Sequence, residues 1–154
     1  MLTQNWGSVD MPEFLVKTLR DWVSVADAVA ARLKPGEVLA LSGPLGAGKT
    51  TFVQALAAVL GSRARPKSPT FSLVRSYPLD GKKGVRRLLH VDAYRLEAPE
   101  DLLPLNLDEE LAEPGTVVAI EWPENAETWI ARRWPNVVKL VISPEGTTRR
   151  VQLA

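Results

Sequence analysis

The stretch Gly43-Pro44-Leu45-Gly46-Ala47-Gly48-Lys49-Thr50 constrains this chain more than any other part of it. Glycine, four residues, glycine, lysine and threonine form a phosphate-binding loop only between a strand and a helix. The neighbouring residues meet that condition. Val38-Leu39-Ala40-Leu41 is an apolar run without polar alternation, the pattern of a strand buried on both faces. A helix is predicted from about Lys49 to Leu60, with Phe52, Ala55, Leu56, Val59 and Leu60 on its inward side and Gly61 ending it.

Backbone N–H groups can curl around a phosphate only where side chains stay clear, and glycine reaches the dihedrals this requires. The helix N-terminus adds free donors and a favourable dipole. Lys49 then supplies a point charge at the β- and γ-phosphates, and the Thr50 hydroxyl suits an all-oxygen Mg²⁺ site. The predicted nucleotide contacts are Gly43, Leu45, Gly46, Ala47, Gly48, Lys49, Thr50 and Thr51. The alternative is a glycine-rich turn whose lysine faces solvent.

The rest of the chain supplies the elements of an α/β domain. Phe14 to Leu19 is predicted as a strand. A helix capped by Ser24 follows, with Ala26, Val29, Ala30 and Leu33 on one face, and Lys34-Pro35-Gly36 stops it. Phe71–Leu79 and Val85–Asp92 are expected to pair around Asp80-Gly81-Lys82-Lys83-Gly84, which makes the sheet mixed. The acidic, leucine-bearing region 98–115 is predicted as one or two short helices broken at Pro104. Val117–Ile120 is a further buried strand, Trp129 and Ile130 fall in a short helix or turn, and Val137–Ile142 pairs with Arg149–Leu153 around Pro144-Glu145-Gly146. The expected fold class is a three-layer, P-loop NTPase-like α/β domain with a central mixed β-sheet. Residues 1–12 are expected to be a flexible tail and 13–154 a single domain.

Composition removes several chemistries. With 154 residues, no cysteine and one histidine, His90, the chain can build neither thiolate catalysis nor a cysteine- or histidine-rich metal site. Its formal charge of +1 argues against a strongly cationic nucleic-acid binder. No apolar run is long enough to span a bilayer, and the N-terminus lacks the pattern of a secretory signal, so a cytoplasmic protein without membrane association is expected.

Two predicted strands end in acids. Leu88-Leu89-His90-Val91-Asp92 is the pattern of a metal-supporting strand, because Mg²⁺ near a phosphate needs a carboxylate held by a rigid element. Asp92 is alternatively a helix cap or a solvated strand end. Val117-Val118-Ala119-Ile120-Glu121 repeats the arrangement, and Glu121 reaches the ligand-binding edge if that strand runs parallel to Val38–Leu41. There it can orient or deprotonate a water, or support the metal. The alternative is a surface glutamate. Trp122 either stacks on a nucleotide or caps the core. His90 shares a strand face with Asp92, as a hydrogen-bonding neighbour or a structural histidine. Thr70, in Ser68-Pro69-Thr70-Phe71, either joins the metal shell when a γ-phosphate is present or belongs to an ordinary turn.

Taken in order, Gly-Pro-Leu-Gly-Ala-Gly-Lys-Thr at 43–50, Ser-Pro-Thr-Phe at 68–71, His-Val-Asp-Ala-Tyr-Arg-Leu at 90–96 and Glu-Trp-Pro-Glu at 121–124 make the chain resemble the bacterial TsaE family. The resemblance runs from about residue 14 to the C-terminus. It implies a small Mg²⁺-dependent ATPase needed to modify tRNA to N6-threonylcarbamoyladenosine at adenosine 37. The implied partners are TsaB and TsaD, with ATP hydrolysis supporting turnover of their complex and tRNA met through those partners. It also implies that Lys49 contacts phosphate, that Thr50 and Asp92 hold Mg²⁺ with Thr70 near it, and that Glu121 is the acid needed for hydrolysis. Trp122 would lie beside the nucleotide pocket, while Tyr94 and Arg95 match the motif without an assigned role. One departure is visible: the family usually has aspartate where this chain has Pro44.

Two other functions stay open at this level. A small metabolite kinase would need an acceptor pocket and usually an arginine-rich lid, and the region between Asp92 and Glu121 offers one arginine, Arg95. A nucleotide-gated binding module would keep ATP and Mg²⁺ without hydrolysis. Arg63, Arg65, Lys67, Lys82, Lys83, Arg86 and Arg87 form either a basic surface or simply a solvated face.

Overall fold

The computed structural model describes residues 11–67, 69 and 73–154. They form a seven-stranded sheet in the order β1-β7-β6-β2-β5-β4-β3. The strands are β1 (Glu13–Val16), β2 (Val38–Ser42), β3 (Val74–Pro78), β4 (Arg87–Asp92), β5 (Thr116–Glu121), β6 (Val137–Glu145) and β7 (Thr148–Leu153). β4, β5, β2 and β6 run parallel. β3 pairs antiparallel to β4, β7 to β6 and β1 to β7, so the sheet is mixed, as its hairpin signals predict.

The helices are α1 (Leu19–Arg32), α2 (Lys49–Val59), α3 (Leu107–Ala112) and α4 (Glu127–Arg133), with two 3-10 segments at Pro99–Leu105 and Pro123–Ala126. Alternation along the strands divides the core into two layers. Leu39, Leu41, Leu88, Val117 and Ala119 pack with Trp22, Val25, Phe52 and Leu56 from α1 and α2. Val38, Ala40, Val91, Val118 and Ile120 face Leu107, Leu111, Trp129 and Ile130 from α3 and α4. Fully burying each large apolar side chain contributes about 1.5–3 kcal/mol before conformational entropy is subtracted. Among the described residues no helix is long and apolar enough to cross a membrane.

Several boundaries differ from the sequence expectation. Helix α1 begins at Leu19 behind Thr18, not at Ser24. The Asp21 carboxylate accepts the backbone N–H groups of Lys17 and Thr18 at 2.8 and 2.9 Å, which anchors the helix start there. Strand β1 consequently ends at Val16. Pro104 lies inside the first 3-10 segment, and the break falls at Asn106, whose backbone is left-handed. Pro144 and Glu145 belong to β6, leaving Gly146 and Thr147 as the turn. Strand β4 starts at Arg87, two residues later than expected. Phe71 and Ser72, expected to begin β3, lie outside the described residues, as do 1–10 of the expected tail. The Pro12 carbonyl accepts the Leu153 N–H at 3.0 Å.

Candidate functional site

The loop after β2 emerges at the carboxyl edge of the parallel strands, the edge where open α/β sheets bind ligands. Pro44, Leu45 and Gly46 are exposed, while Ala47 and Lys49 are buried. The Pro44 carbonyl accepts the Ala47 N–H at 3.1 Å, and α2 begins at Lys49. Two glycines are demanded by contact. A Cβ on Gly43 would lie 2.9 Å from the Ile142 carbonyl oxygen, and one on Gly48 would lie 2.7 Å from Cζ2 of Trp22. Gly48 also has φ of +108°, where a side chain is strained in any case.

Lys49 points back into the loop. Its Nζ donates to the Gly43 carbonyl at 2.6 Å and sits 3.6 Å from the ring centroid of Trp122. Burial pushes its pKa below the usual lysine range, against the carboxylates of Glu121, Glu124 and Asp92, which favour its charge. Trp122 has a left-handed backbone, φ 58°, uncommon for a bulky residue, and its ring is tilted against Tyr94 with centroids 5.0 Å apart. The Asn125 amide fixes this corner by donating to the Ala93 carbonyl at 2.9 Å.

Parallel pairing of β4 and β5 sets Asp92 opposite Glu121, and pairing of β5 and β2 sets Glu121 opposite Leu41. By strand parity both acids face the α1/α2 side, where Lys49 lies. Asp92 Oδ1 accepts the Tyr94 N–H at 3.0 Å. Glu121 is only 4% exposed, so it is not a surface glutamate. Its Oε2 lies 2.6 Å from Nε2 of the fully buried His90.

Among the described residues no three His, Asp or Glu side chains could hold a metal ion by themselves. The Thr50 hydroxyl and the Asp92 carboxylate are hard oxygen donors of the kind Mg²⁺ takes, an ion that uses one or two protein oxygens and completes its shell with phosphate and water. Thr70 lies outside the described residues, so its predicted place near the metal has no structural counterpart here.

Sequence reasoning missed three residues that shape the site. Trp22 packs against Gly48 from α1. With Thr18, Leu19, Gly48, Thr51 and Arg149 it lines an open cleft of about 460 Å³ beside the loop. Arg149, from β7, donates through Nε to the Ala47 carbonyl at 3.0 Å and braces the loop from 102 residues away. Asn125 is the third. No local pattern signals any of them. The basic residues are only partly gathered. A bridge between Ser62 and Leu79 joins the loops bearing Arg63, Arg65, Lys67, Lys82, Lys83 and Arg86, all exposed. Arg87 is not part of that surface, being paired with Glu110 at 2.7 Å and bonded to Thr116.

The family model described as threonylcarbamoyl adenosine biosynthesis protein TsaE matches residues 16–151. A tRNA threonylcarbamoyladenosine biosynthesis protein TsaE of Bacillus subtilis is 42% identical over 127 residues, covering 82% of this chain and 74% of that protein. The protein of the same name from Aquifex aeolicus is 39% identical over 116 residues, covering 74% and 78% respectively. The crystal structure of Bacillus subtilis YdiB superimposes with a TM-score of 0.66 at 30% identity, covering 94% of this chain and 85% of that one.

Proposed function

The chain belongs to the TsaE family, and we propose that it hydrolyses ATP, with Mg²⁺, as the subunit that supports turnover of TsaB and TsaD during N6-threonylcarbamoyladenosine formation on tRNA. The observation that carries this reading is the convergence of a glycine loop, Lys49 and two strand-end carboxylates at one sheet edge.

In this reading the N–H groups of Gly46, Gly48, Lys49 and Thr50 face the β-phosphate, with the Ala47 N–H closing the loop on the Pro44 carbonyl. Lys49 exchanges the Gly43 carbonyl and the Trp122 ring for phosphate oxygens, which relieves the desolvation that disfavours its charge in the free protein. Thr50 and Asp92 would hold the metal, which when bound would offset negative charge on the phosphates. Glu121 orients or deprotonates the attacking water. Gly48, Thr51 and Trp22 border the nucleoside, with Arg149 keeping the loop in shape. Trp122 contributes on the phosphate side, through Lys49. The tRNA is met through TsaB and TsaD, with the chain in the cytoplasm.

The kinase reading loses support because the leucine-bearing part of the region between Asp92 and Glu121 packs away from the phosphate loop. Leu102, Leu107 and Leu111 are buried on the far side of the sheet from Lys49. A non-hydrolysing module is separated by experiment. Steady-state phosphate release by Lys49→Ala and Glu121→Ala with TsaB and TsaD present should fall by about 100-fold or more. Unchanged rates in both variants would overturn the ATPase reading.

A further inference from the structure

Among the described residues, Nδ1 of His90 is the buried side-chain polar atom left without a hydrogen-bond partner. The imidazole is fully buried, and its other nitrogen lies 2.6 Å from Glu121 Oε2. A proton on Nδ1 would be a buried donor with no acceptor among the described residues, whereas a proton on Nε2 meets a carboxylate oxygen. The surroundings therefore favour the tautomer that carries its proton on Nε2.

Register explains how the two side chains meet. His90 on β4 stands opposite Ala119 on β5, and Asp92 stands opposite Glu121. The methyl of Ala119 leaves room for the imidazole to lean diagonally onto Glu121, two positions along the neighbouring strand. Lys49 lies on the same face, close enough for the Glu121 charge to act on it. A glutamate free to rotate there would be drawn towards the lysine.

We propose that His90 is a positioning residue: its Nε2–H bond to Oε2 fixes the Glu121 carboxylate apart from Lys49 and leaves Oε1 as the acceptor for the attacking water. This rests on the ATPase reading above for its consequence, but not for its geometry. A histidine that only filled space could be replaced by an apolar side chain of similar size without changing kcat. A positioning histidine must donate to Glu121.

Because the chain has one histidine, its ring nitrogens give unambiguous signals in ¹⁵N-labelled full-length protein. Long-range ¹H–¹⁵N spectra should show the Nε2–H tautomer in the wild type, with both signals shifted in Glu121→Gln. In the complex with TsaB and TsaD, His90→Leu should lower kcat by about 10- to 100-fold while KM and the ATP dissociation constant stay within about twofold. His90→Gln, whose amide N–H can still donate, should recover part of kcat. An Nδ1–H tautomer in the wild type, or an unchanged kcat in folded His90→Leu, overturns the proposal. If His90→Leu does not fold, the wild-type tautomer and its response to Glu121→Gln still decide. If the wild type releases no phosphate, the ATPase reading fails, while the ring spectra continue to test the Glu121 contact.

Discussion

Lys49 holds its ammonium 3.6 Å from the ring centroid of Trp122 while donating to the Gly43 carbonyl at 2.6 Å. The loop's cation is thus occupied by protein groups in the free chain, and burial holds its pKa low. Phosphate binding is an exchange of partners and not the capture of an idle charge.

The sign of the lysine effect is testable. A lysine whose folded pKa is lowered binds fewer protons than in the unfolded chain between that lowered value and about 10.5. Across that window, wild-type stability should rise with pH relative to Lys49→Met, which lacks the group. Chemical denaturation at a series of alkaline pH values checks this. A fall relative to Lys49→Met would mean that the lysine is stabilised in its charged form.

Gly48→Ala places a methyl 2.7 Å from Trp22 on a backbone with φ of +108°. The variant should lose about 1–3 kcal/mol of stability, and its loop should no longer bind nucleotide tightly. Thermal unfolding and calorimetric titration with ATP read the two effects separately.

Arg149→Ala removes the donor to the Ala47 carbonyl. Loss of this charge-assisted bond should cost about 1.5–3 kcal/mol or less, according to how well water replaces it at a part-buried site. Affinity for ATP should weaken by roughly tenfold because the loop is less preorganised. Unchanged affinity in calorimetry would show that Arg149 does not shape the loop.

Pro44 tests the reverse case. It is exposed, and what it contributes to the loop is its carbonyl, which accepts the Ala47 N–H. Any residue supplies that carbonyl, so Pro44→Ala should leave ATP affinity within about twofold, since proline lacks a backbone donor in the first place. A large loss would assign the ring a role of its own.

The strand, loop and helix from Val38 to Val59 were legible because an unbroken apolar run, a glycine pattern and a helical apolar face agree with one another. The start of α1 was not. Leu19 is 76% exposed, and the apolar run Phe14–Leu19 looks like a strand until Asp21 is seen anchoring a turn at Thr18. The acids at 92 and 121 were legible as strand ends. That Glu121 is buried under His90 was not, because the contact depends on the β4–β5 register, which local pattern does not encode. The same holds for Arg149 and Asn125, each tied to a backbone carbonyl far along the chain.

The most direct measurement is calorimetric titration of the purified chain with ATP, with and without Mg²⁺, alongside Lys49→Ala. Saturable binding that strengthens with Mg²⁺ and disappears in the folded variant is the predicted result. Binding that is absent under every condition, or equally tight without Lys49, would contradict a triphosphate seated on the 43–50 loop.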